Sequence, residues 1–149
     1  MTTPNYLRGF AAALLLLGSA HLLAGCGPDS GAGDPLIPYV SFNEQINLSN
    51  QQYSALRADN GAAYTNGGVK GLIIVRQNSS SYLAFERNCP YQPYDACARV
   101  RIDPSRLFLA DTCCRSQFSL LGQPQGGPAF RPLRQYATNL SGNILTITN

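Results

Sequence analysis

Residues 71–76 (GLIIVR) are a dense β-branched run and predict a strand. The polar stretch 77–81 reads as a turn. Residues 82–87 (YLAFER) return as the hairpin partner, with Tyr82, Ala84 and Glu86 on one side and Leu83, Phe85 and Arg87 on the other. Upstream, Val40, Phe42, Ile46 and Leu48 predict a first strand whose alternation is broken by the polar run 43–45. Tyr53 and Leu56 stand three apart on one helical turn, and 62–64 make a short strand before Asn66, Gly67 and Gly68. Downstream, Ala98, Val100 and Ile102 alternate with Arg99 and Arg101, Asp103-Pro104-Ser105 turns the chain, and 107–110 form another strand. Then come 117–120, a turn at 121–125, and the run 126–132. Finally 133–140 and 144–148 flank Ser141-Gly142-Asn143, a hairpin signal. Short strands with frequent turn signals, and no sustained helical period after the N-terminus, predict an all-β sandwich or barrel. No internal repeat and no second domain is visible.

The N-terminus follows a different pattern. Arg8 precedes a short apolar run, 10–17, too short to span a bilayer as a stable helix. Then comes Leu23-Ala24-Gly25-Cys26, small residues before a cysteine, and the whole resembles a bacterial lipoprotein signal with its lipobox. That resemblance implies a signal peptide over 1–25 and a mature protein that begins at Cys26 and is held in the bilayer by its acyl chains. Residues 26–35 (CGPDSGAGDP) read as a flexible tether, and 36–149 as the folded domain. The expected location is the bacterial cell envelope, lipid-anchored and extracytoplasmic, where thiols meet oxidants.

This processing discards His21, the chain's one histidine. The mature protein then offers no histidine triad, imidazole base or histidine-held metal, and no catalytic residue stands out. The net charge of +3 is spread along the chain without a basic stripe, so nucleic acid is not an expected partner.

The chemistry concentrates in residues 89–136. Ser116, Phe118, Gly122, Gly127-Pro128-Ala129, Pro132-Leu133 and Tyr136 fall in register with the second half of a Rieske domain. There the second loop runs C-P-x-H-G-S-x-F, followed by a Gly turn, G-P-A, P-L and an aromatic. Cys89-Pro90-Tyr91 is similar to the first loop, C-x-H. The resemblance covers roughly residues 36–149 in order of elements. It implies an all-β, antiparallel, multi-sheet sandwich or barrel with a small loop-bearing subdomain at one end, and a [2Fe–2S] cluster. Such a cluster uses two cysteines on one iron and two histidines on the other. At the four corresponding positions this chain has Cys89, Tyr91, Asp111 and Cys114, so one ligand is kept by type. Arg115 replaces the glycine before the serine. Cys97 and Cys113 match the non-ligand pair that forms a disulfide between the loops in several Rieske proteins.

Four cysteines besides Cys26 allow three pairings, and the vicinal Cys113–Cys114 bridge is disfavoured by strain. The resemblance implies Cys97–Cys113 together with Cys89–Cys114, because the latter two occupy positions that converge on one cluster. The rival is a metal held by Cys89, Cys97, Cys113 and Cys114, either zinc or an iron–sulfur centre. Compartment and spacing favour bridges, since adjacent cysteines point apart in an extended chain and the spacing lacks CxxC knuckles. The expectation is no cofactor, with [2Fe–2S] as the alternative.

Tyr91, Pro93 and Tyr94 either fill the space of the missing cluster or present an aromatic patch to an envelope protein partner. Arg99, Arg101, Arg106 and Arg115 read as a solvated face. Asn47, Asn78 and Asn139 open N-x-S/T triplets that carry no weight in a bacterial lipoprotein. The reading is an envelope-anchored, disulfide-clamped binding or structural module that has lost its cluster. The alternative is a [2Fe–2S] electron carrier with cysteine ligation.

Overall fold

The computed structural model describes residues 37–149. The expected signal peptide, the lipidated Cys26 and the tether lie outside the described residues. Ten strands and one 3-10 helix follow in order: β1 (Asn43–Asn47), the 3-10 helix (Gln51–Arg57), β2 (Ala62–Thr65), β3 (Leu72–Asn78), β4 (Ser81–Glu86), β5 (Val100–Ile102), β6 (Leu109–Asp111), β7 (Gln117–Phe118), β8 (Pro124–Gly126), β9 (Gln135–Ser141) and β10 (Ile144–Thr148). A six-stranded sheet has the order β1-β10-β9-β4-β3-β2, and a four-stranded sheet the order β5-β6-β7-β8. Neighbouring strands pair antiparallel throughout. The all-β, two-sheet architecture expected from the sequence is present.

The run Leu72-Ile73-Ile74-Val75 explains how the two sheets meet. All four side chains are buried, because β3 is covered on both faces. Leu72 and Ile74 join one core with Ile46, Tyr53, Leu56, Tyr82, Ala84, Tyr136, Leu145 and Ile147. Ile73 and Val75 join a second core with Phe85, Cys89, Val100, Leu109, Phe118 and Leu133, which ties the small sheet to the large one. Each such aliphatic or aromatic side chain contributes about 1.5–3 kcal/mol by leaving water. In register, Ile74 faces Ala84 and Ile73 faces Phe85, so the β4 alternation sorts its side chains between the same two cores.

Some boundaries differ from the sequence expectation. The first strand is centred on the polar run, not broken by it. β1 is an edge strand paired only with β10; Asn43, Gln45 and Asn47 face solvent, Glu44 is half-buried and accepts from the Thr65 hydroxyl, and Ile46 is buried. The expected turn at 121–125 is shorter and earlier. Ser119 Oγ accepts from the Leu121 and Gln123 N–H groups, and the Gly122 N–H bonds to the Ser119 carbonyl. Gly122 takes φ +75°, and a Cβ there would sit 2.6 Å from the Phe85 ring. The chain is then free to form β8 within the stretch read as turn. Tyr53 and Leu56 are both buried, but Tyr53, at φ −103° and ψ 15°, sits at a kink in the 3-10 segment and does not share a regular helical turn with Leu56.

Candidate functional site

Two loops carry the cysteines, one leading from β4 of the large sheet to β5 of the small one and one between β6 and β7 of the small sheet. The first is closed at its base by the Asn88–Arg99 bridge and by the Val100 N–H bonding to the Arg87 carbonyl at 2.7 Å. Lys70 holds it from the side. Its Nζ donates to the carbonyls of Pro93, Asp95 and Ala98 at 3.3, 2.6 and 2.9 Å. Below it, the buried Glu86 carboxylate accepts from the Val69, Lys70 and Asn88 N–H groups and from the Tyr136 hydroxyl. A buried carboxylate is tolerated because these donors replace its water. Burial pushes the Tyr136 phenol well above its ordinary value, and the Glu86 carboxylate beside it adds to the shift.

The second loop is shaped by its own polar groups. The Asp111 N–H bonds to the Ser116 carbonyl at 2.8 Å, and Asp111 Oδ1 accepts from the Cys113 N–H at 2.8 Å. Arg115 is exposed and takes φ +63°, so it keeps the left-handed conformation that glycine holds more cheaply. Ser116 is buried and its Oγ accepts from the Ala129 N–H at 3.0 Å, which docks the Gly/Pro-rich run on the loop. Gly127, at φ +83°, lies so close that a Cβ would sit 2.6 Å from Ser116 Cα.

The loops are joined by a disulfide between Cys97 and Cys113, with Cα atoms 5.5 Å apart. Cys89 and Cys114 converge as the register suggested, but they are free thiols with sulfurs 3.7 Å apart, and the second bridge is not formed. Cys89 is fully buried in the second core, and Cys114 Sγ lies 3.0 Å from Ser116 Oγ. Cys89 is set in close-packed surroundings, whereas Cys114 is half-buried. The four-thiolate set of Cys89, Cys97, Cys113 and Cys114 is not assembled either. The sulfurs of Cys97 and Cys113 are bonded to each other, while Cys89 and Cys114 group with Asp111. A second group, Asp95, Cys97 and Cys113, is exposed, and its two sulfurs are already used by the bridge.

Donor atoms of Cys89, Asp111 and Cys114 all lie within 4.8 Å of one another. Asp111 is fully buried, and its Oδ2 has no hydrogen-bond partner. Cys89 is pushed well above its ordinary thiol value, first by burial, with the Asp111 carboxylate and Cys114 adding to the shift. The main-chain N–H of Tyr91 acts in the opposite direction. Tyr91 itself is half-buried against the second core, Pro93 is buried, and Tyr94 is 72% exposed. Of the expected aromatic patch, only Tyr94 stands open to a partner. Arg99, Arg101 and Arg106 are exposed, as a solvated face requires.

A [2Fe–2S] rhomb needs two pairs of donors, one on each iron, with two metals and two sulfides between them. Three donors within 4.8 Å of one another do not fit that group, and the described residues include no histidine for the second pair.

Sequence reasoning missed Lys70, Asn88 and the role of Glu86. Glu86 had a signal: it falls on the side of β4 that carries Tyr82 and Ala84, an inward position that a charge occupies only when paired. Lys70 had none, because its acceptors are main-chain carbonyls more than 20 residues away.

No protein-family model matches the chain. No curated protein matches it either. Among solved structures, the cyanobacterial plasma membrane Rieske protein PetC3 from Synechocystis PCC 6803 superposes with a TM-score of 0.50 at 26% identity, covering 64% of this chain and 93% of its own. The ferredoxin of carbazole 1,9a-dioxygenase from Nocardioides aromaticivorans IC177 matches at 16% identity and a TM-score of 0.42, covering 60% of this chain and 86% of its own. Strand order, the two disulfide-joined loops and the likeness to the cyanobacterial protein agree, and the chain has a Rieske-like β fold.

Proposed function

We propose that this chain is an envelope-anchored Rieske-like lipoprotein that has lost its iron–sulfur cluster and works as a disulfide-clamped binding or structural module. The carrying observation is the loop tip. The four positions that resemble cluster ligands hold Cys89, Tyr91, Asp111 and Cys114, and three of these converge on one point while Tyr91 packs into the core. The Cys97–Cys113 bond joins the loops that a cluster would otherwise hold together. The N-terminal pattern ending in Leu23-Ala24-Gly25-Cys26 supports a lipid anchor, and a disulfide suits an extracytoplasmic location. The exposed Tyr94, at the tip of the first loop, is the contact offered to an envelope partner.

The reading is tested on protein exported through its own signal. Iron and acid-labile sulfide should both be absent, and the visible spectrum should lack sulfide-to-iron absorption. A brown sample with stoichiometric iron and sulfide would establish the other reading, a [2Fe–2S] electron carrier with cysteine ligation. Convergent Cys89 and Cys114 and the family likeness favour that alternative; the missing fourth donor opposes it. For the partner, pull-down with Tyr94→Ala should lose a protein that the wild type retains, and unchanged capture would remove the loop tip as interface.

A further inference from the structure

We infer that Cys89, Asp111 and Cys114 form a binding site for one tetrahedral zinc ion. The inference rests on the proposed loss of the two-iron cluster and assigns the remaining donors a different metal.

Three observations carry it. The sulfurs of Cys89 and Cys114 are 3.7 Å apart. Two thiolates on one zinc, with bonds of about 2.3 Å at the tetrahedral angle, stand about 3.8 Å apart. The pair is thus spaced for one ion between them. Secondly, Asp111 is fully buried and no N–H or O–H donor reaches its Oδ2, so the carboxylate faces the Cys89 thiol without the hydrogen bond from a stronger donor that burial normally demands. It lies with both sulfurs inside the 4.8 Å cluster, and Oδ1 is held by the Cys113 N–H, which fixes how the carboxylate is turned. Thirdly, the surroundings supply the outer hydrogen bonds a metal thiolate needs. Ser116 Oγ accepts from the Ala129 N–H and from the Cys114 S–H at 3.0 Å, so its own hydrogen is free to turn to the Cys114 sulfur once metal binding removes the thiol proton.

Two sulfurs and one carboxylate oxygen are a borderline-soft set that suits zinc over magnesium or calcium. Binding replaces two S–H bonds by two S–Zn bonds and releases two protons, with no change in oxidation state. Three protein donors leave the fourth position for water or an exchangeable ligand, the arrangement of zinc sites that are more than structural.

The test uses exported protein, purified without oxygen, stripped with a chelator and titrated with Co²⁺ and then Zn²⁺. The wild type should bind one equivalent of Co²⁺ with thiolate-to-cobalt absorption, which Zn²⁺ then abolishes. Asp111→Asn, which keeps the side-chain shape and Oδ1, should weaken binding by at least about tenfold. Cys114→Ser should remove a large part of the thiolate band, and Arg115→Ala should change neither. The inference is overturned by no binding to protein with both thiols reduced, by wild-type binding in Asp111→Asn or Cys114→Ser, or by a Cys89–Cys114 disulfide in peptide maps. Those outcomes leave the proposed loss of the cluster standing. Iron with inorganic sulfide in the exported protein would overturn both.

Discussion

The outer and inner sulfur pairs sit one residue apart in the second loop yet meet opposite fates. Cys97 and Cys113 are exposed at the rim, have Cα atoms 5.5 Å apart, and are bonded. That separation lies in the range where a disulfide forms without moving the backbone. Cys89 and Cys114 lie inward, beside a buried carboxylate, and their sulfurs stop 3.7 Å apart. The difference is one of confinement. At the rim, side chains adjust until they bond. Further in, Cys89 is held in the packed second core and the Gly127–Ser116 contact pins the second loop, and the sulfurs stand apart. One pair therefore clamps the loops and the other is available for chemistry.

The largest expected effect tests the clamp. Cys97→Ser with Cys113→Ser should lower unfolding free energy by about 3 kcal/mol, since the bridge closes a loop of 16 residues. Denaturant titration checks this. The metal-free Cys89→Ser, Cys114→Ser double variant should lose clearly less, and equal losses would erase the distinction between the pairs. Next, Gly127→Ala should cost about 2 kcal/mol, through its left-handed φ and the clash with Ser116 Cα. It should also disturb the inner pair, measured as faster alkylation of Cys114. Lys70→Met removes the side chain that gathers three carbonyls of the first loop, at about 1–2 kcal/mol. Amide exchange should rise in residues 92–98 and stay constant in the six-stranded sheet.

Two smaller effects sharpen the picture. Arg115→Gly should raise stability by about 1 kcal/mol by relieving a left-handed arginine, with both sulfur pairs unchanged. Unchanged or lower stability would mean that the arginine is held by more than its backbone. The last concerns pH, away from the sulfurs. Tyr136 has a phenol raised above its ordinary 10.0 by burial and Glu86. A raised value means that the folded state keeps the proton more tightly. Its contribution is thus complete below pH 10 and fades as pH climbs beyond it. Tyr136→Phe should flatten that alkaline fall, as read by thermal unfolding across pH.

Much of the fold was legible because it rests on local patterns. The unbroken Leu72–Val75 run announced a strand, and Ser141-Gly142-Asn143 announced the final hairpin, which the structure closes between Ser141 and Ile144. The β1 boundary was not legible, because an edge strand need bury only one side chain and the polar run 43–45 imitates a loop. At the site, the cysteines and Asp111 stood out by register. The absence of the inner bond did not, since sequence places residues on loops but does not set a sulfur–sulfur gap. Asp111 stands at a cluster-ligand position in the register, and its Oδ1 accepts from the Cys113 N–H; the state of Oδ2 appears only once burial is known.

Peptide mapping of the exported protein, alkylated under denaturing conditions without prior reduction, tests the division between the sulfur pairs most directly. The account predicts one cross-link, Cys97 to Cys113, with Cys89 and Cys114 both alkylated. A cross-link that includes Cys89 or Cys114, or four alkylated cysteines, would contradict it.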